Sequence, residues 1–118
     1  MIIYVDIDGT ICTLNNSDGE NKDQSFDPAG YEDAQPIQDN IDKINKLYDE
    51  GHTIVCYTAR GMGRHNNNPI LAIQEFYSLT ASQLEDWGVK YHHLLLGKPS
   101  GDVYVDDKGI KDEDFFAD

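Results

Sequence analysis

Met1-Ile2-Ile3-Tyr4-Val5-Asp6-Ile7-Asp8-Gly9-Thr10 decides the fold. Residues 2 to 7 are β-branched or aromatic except for Asp6, apolar on both faces, and bounded by Asp8-Gly9, the pattern of a strand buried in a parallel sheet. Such a strand delivers two aspartates at its carboxyl end. Residues i and i+2 of an extended segment point to the same side, so Asp6 and Asp8 can face one small volume.

Outward from this strand, residues 9 to 35 are polar and without a convincing period, a flap-like loop of a length that is usually functional or mobile. From Pro36 to Glu50 the pattern is helical, with Ile37, Ile41, Ile44, Leu47 and Tyr48 on one stripe, Pro36 in the first turn and Gly51 as the stop. Thr53-Ile54-Val55-Cys56-Tyr57 reads as a second strand ending in Thr58-Ala59-Arg60-Gly61. Asn68-Pro69 opens a second helix, on which Ile70, Ile73, Phe76 or Tyr77, Thr80, Leu84 and Trp87 recur at helical spacing until Gly88. Residues 90 to 96 predict a third strand, Val103-Tyr104-Val105 a fourth ending in Asp106-Asp107, and the tail with Phe115 and Phe116 a short covering helix. Strand, helix, strand implies a right-handed crossover. The expected fold is therefore α/β: one domain over residues 1–118, a three-layer open parallel sheet with helices on both faces, its ligands at the carboxyl ends of the strands.

Composition limits the function. The chain has 118 residues, 39% hydrophobic and 26% charged, enough for one core. A net charge of −13 argues against a nucleic-acid partner, which would be held by clustered basic residues. Cys12 and Cys56 are far apart, so no zinc site or disulfide framework is signalled, and Cys56 reads as core. The N-terminal apolar run is too short for a signal peptide or a membrane span, which makes the cytoplasm the expected location.

Four signals fall after successive strands. Asp6 and Asp8 end the first and Asp106 and Asp107 the last; together these carboxylates would repel unless protonated or bound to a cation. A hard divalent ion that keeps waters and accepts a substrate phosphate is magnesium. Taken alone, each acidic pair reads more readily as a turn. The Thr58 hydroxyl can donate to a phosphoryl oxygen, and Lys98 can neutralise phosphate and nucleophile charge. Arg60 and Arg64, the only arginines, suit a second phosphate or a carboxylate on a substrate, or equally salt bridges with the abundant acids. His65 with Asn66 to Asn68 either lines the entrance or forms a solvated loop. His92 and His93 face opposite ways and make no metal pair.

In D-x-D-G-T at Asp6, the apolar run ending in Thr58, Lys98 in Gly-Lys-Pro, and Asp106-Asp107 after an apolar strand, the chain resembles the haloacid dehalogenase-like superfamily over essentially its whole length. The resemblance implies a Rossmann-like fold and a magnesium-dependent phosphatase. By it, Asp6 attacks phosphorus to form an aspartyl-phosphate, Asp8 protonates the leaving oxygen and then activates water, and Thr58 and Lys98 hold the phosphoryl group. Magnesium would be bound by Asp6, the backbone carbonyl of Asp8 and Asp106, with Asp107 bound directly or through water. No segment is long enough for a cap domain, so the site is expected to be open, unless the 9–35 loop or a second subunit of a homo-oligomer covers it. The expected substrate is a small phosphorylated metabolite, a sugar phosphate by similarity to capless relatives. The alternatives are a polynucleotide or nucleotide phosphatase and, from another class, a receiver-like or catalytically silent magnesium- and phosphate-binding module.

Overall fold

The computed structural model describes residues 1–14 and 28–117. Strands β1 (Ile2–Val5), β2 (Thr53–Thr58) and β3 (His93–Leu96) form a parallel sheet in the order β1-β2-β3. Helices α1 (Pro28–Glu32), α2 (Gln38–Asp49), α3 (Pro69–Asp86) and α4 (Asp112–Phe115) complete the described elements. This is an open parallel sheet flanked by helices, as expected. Most of the 9–35 loop, residues 15–27, lies outside the described residues.

Register explains the core. Ile3 pairs with Ile54 and Val5 with Cys56, while Cys56 pairs in turn with Leu94 and Thr58 with Leu96. Alternation puts these residues on one face, where Val5, Ile54, Cys56, Leu94 and Leu96 are buried with Ile41 and Ile44 of α2 and Phe76 and Leu84 of α3. Each such side chain contributes roughly 1.5–3 kcal/mol when fully withdrawn from water. Both crossovers step the same way along the sheet, so right-handedness sets α2 and α3 over the same face. Of the outer layers expected, the described residues supply the one over this face. On the other, Ile2, Tyr4 and Leu95 are exposed.

Local chemistry sets the helix ends. The Asn68 side chain accepts from the backbone N–H groups of Ile70 and Leu71, and Pro69 opens α3. The C-terminal tail is helical as expected; Phe115 and Phe116 pack on the core, and the Lys43 ammonium lies 4.7 Å from the Phe115 ring centre. Helix α1 is missed by periodicity because five residues carry too little of it.

The fourth strand is a correction. Val103, Tyr104 and Val105 belong to no strand and are 75%, 53% and 91% exposed. Their apolar, β-prone character reads as a strand, but a strand also needs an edge within reach. Only residues 97 to 102 separate them from β3. A parallel return usually takes a dozen residues or more. The segment instead turns on itself, the Tyr104 hydroxyl donating to the Pro99 carbonyl at 2.6 Å and accepting from Gly101 N–H at 2.9 Å.

Candidate active site

The chain turns sharply after β1. Gly9 adopts φ +84°, and the N–H groups of Thr10, Ile11 and Cys12 all point to the Ile7 carbonyl. This folds Thr10 back so that its hydroxyl donates to Asp6 Oδ2 at 3.3 Å. Lys98 Nζ stands 3.6 Å from Asp6 Oδ1. Burial raises the Asp6 carboxyl above its ordinary range, and the Lys98 charge offsets part of that rise.

Asp8 meets a different counter-charge. Arg60 donates from Nε to Asp8 Oδ2 and from Nη2 to Oδ1, both at 2.9 Å, a two-pronged pair. The Arg60 side chain is fully buried and that of Asp8 is 16% exposed. Nη1 of Arg60 donates to Thr80 Oγ1 at 3.2 Å and to Gln83 Oε1, and the guanidinium lies 4.8 Å from the Tyr31 ring centre. Burial opposes the guanidinium charge, but Asp8, with smaller contributions from Cys12 and Tyr31, holds Arg60 protonated above its usual range. Cys12 completes the cluster, its thiol donating to Asp8 Oδ1 at 3.4 Å. Burial and the Asp8 charge push that thiol up to about 12.

Thr58 is buried, its hydroxyl accepting from Arg60 N–H at 3.1 Å, and its carbonyl accepts from Lys98 N–H at 3.1 Å. The ends of β1, β2 and β3 thus bring Asp6, Thr58 and Lys98 into one neighbourhood. Asn67 ties the loops above them, its side-chain oxygen accepting from Ser100 N–H at 2.9 Å. Gly61 holds φ +80° beneath this loop, where an added Cβ would come within 2.6 Å of Phe76.

The remaining expected residues stand apart. Asp106 Oδ1 accepts from the N–H groups of Lys108 and Gly109, as in a turn, and these bonds, Gly109 first, lower its carboxyl. Asp107 is exposed and, among the described residues, pairs with Lys108 at 4.0 Å. Among the described residues no group of three or more His, Cys, Asp or Glu side chains is placed to hold a metal ion. With Asp6 facing Lys98 and Asp8 held by Arg60, the donor set as placed does not form the expected magnesium site. Arg64 pairs with Glu75 at 3.0 Å, and His65 bonds the same carboxylate at 2.7 Å, a surface arrangement. His92 Nδ1 accepts from Ile54 N–H, whereas His93 is exposed on the opposite side.

Sequence reasoning missed the buried Arg60 cluster. Its signal was Thr80 and Gln83, two polar residues three apart on the buried side of α3. It also missed Tyr104, whose ring centre lies 5.0 Å from Lys98 Nζ. A hollow of about 560 Å³ lined by Tyr77, Ala81, Glu85, Val89 and Tyr91 includes none of the expected site residues. No described helix is long and apolar enough to cross a membrane.

No family model matches the chain, and no curated protein does. Among solved structures, a crystal structure of a structural-genomics target from Vibrio cholerae matches with a TM-score of 0.80 and 26% identity, covering 98% of this chain and 86% of that one.

Proposed function

We propose that this chain is a phosphohydrolase of haloacid dehalogenase-like, capless type that attacks a phosphate monoester, a small sugar phosphate, with Asp6. The observation that carries this reading is the Asp6 carboxylate beside Lys98, with Thr58 joined to Lys98 through the backbone. A carboxylate nucleophile needs a neighbouring cation to bring the phosphate to it, and charge neutralisation is most of what a protein offers phosphoryl transfer. Lys98 is that cation.

In the first step an Asp6 oxygen bonds to phosphorus as the bond to the substrate oxygen breaks, and the leaving oxygen takes a proton from Asp8. In the second, water attacks the aspartyl-phosphate, its proton passes to Asp8, and Asp6 and inorganic phosphate are released. Arg60 donates to both Asp8 oxygens and so fixes where that carboxyl stands. Arg60 is thus a positioning residue for Asp8 rather than a substrate ligand. Magnesium enters through the family resemblance, with Asp6, the Asp8 carbonyl, Asp106 and Asp107 as its ligands. The described arrangement does not gather them. The test is phosphate release from a panel of sugar phosphates, nucleotides and a phosphorylated oligonucleotide, with and without magnesium. Release led by the sugar phosphates is expected, and none from any compound would overturn the reading.

A further inference from the structure

We propose that the arm of residues 99–111 completes the sheet of a second copy of this chain, Val103–Val105 pairing with the outer edge of β1 in a two-fold, arm-exchanged dimer. Strand β1 is at the edge of the sheet, hydrogen-bonded only to β2 among the described residues. Such an edge is a template for another strand. Its own Ile2 and Tyr4 are 68% and 61% exposed. The arm carries the complementary need: three strand-prone apolar residues, all exposed, with no ladder partner among the described residues.

Chain length separates the two within one molecule. From the end of β3 the arm would have to pass β2 and β1 and return to the other end of the sheet, all within residues 97 to 102. That is about half of a usual parallel crossover. A second copy places an equivalent edge beside the arm without that return, which is the condition under which short connections exchange elements between protomers. Charge agrees. The chain carries −13 overall, yet neither Ile2–Val5 nor Val103–Val105 contains a charged side chain, so the seam is free of the repulsion that separates the rest of the surface. Pairing parallel to β1 puts Asp106 and Asp107 at the same end as the partner's Asp6. The inference rests on the edge and the arm, and stands whether or not the proposed chemistry does.

Sedimentation of the full chain tests it, with a mass twice the 13.3 kDa of one chain expected at micromolar concentration. Inserting about a dozen glycine and serine residues between Ser100 and Gly101 makes the connection long enough to reach its own edge, and the mass should halve. Val105→Lys, at a position 91% exposed in the single chain, should also halve the mass while retaining the helical circular dichroism of a folded chain. A monomeric wild type overturns the proposal. So does a dimer that survives either change.

Discussion

Arg60 keeps a charge in the core because every donor finds an acceptor: Asp8 takes two bonds, Thr80 and Gln83 one each, and the Cys12 sulfur the fifth at 3.9 Å. Removing one member of such a pair leaves the other unpaired, at a cost of about 3–5 kcal/mol. Arg60→Met should therefore lower unfolding stability by about that amount in urea titration. Asp6 behaves oppositely. Its carboxyl is raised by burial, so the native state binds its proton more tightly than the unfolded chain does. Stability contributed by this group is largest below the ordinary carboxylate range and falls as pH rises through the raised value. Asp6→Asn should raise the melting temperature at neutral pH and flatten that part of the stability profile, as scanning calorimetry at several pH values will show. The i, i+2 rule alone puts Asp6 and Asp8 in one volume. It does not say which cation each carboxylate meets, because Lys98 and Arg60 reach them from different strands.

Among the elements, α2 and α3 are legible in sequence because each pairs a clear period with local boundary signals: Gly51 after α2, Asn68-Pro69 before α3 and Gly88 after it. Asn68→Ala should cost about 1 kcal/mol of stability by removing the α3 cap. Gly61→Ala should cost roughly 1–3 kcal/mol, since a side chain there strains the backbone and meets Phe76. Thermal unfolding measures both. The arm at 103–105 misled for a physical reason. Strand propensity is read from the residues themselves, whereas pairing depends on whether the connection can deliver them to an edge.

Over the whole molecule, burial protects both thiols. Cys12 and Cys56 are buried and each is pushed up to about 12, chiefly by desolvation. Neither should react with a thiol reagent at pH 8 while the chain is folded, and both should on unfolding; labelling of the native chain would mean that the core opens. The carboxyl ends of three parallel strands gather Asp6, Thr58 and Lys98, an organisation legible in sequence because each residue lies within two positions of the end of an apolar run. The placement of Asp106 and Asp107 was not legible, since it depends on the path of the arm. Phosphate release by Asp6→Asn, compared with wild type on the best substrate of the panel, is the direct test of Asp6 as nucleophile. Loss of turnover in a folded variant that still binds substrate is the predicted result, and turnover near the wild-type rate would contradict it.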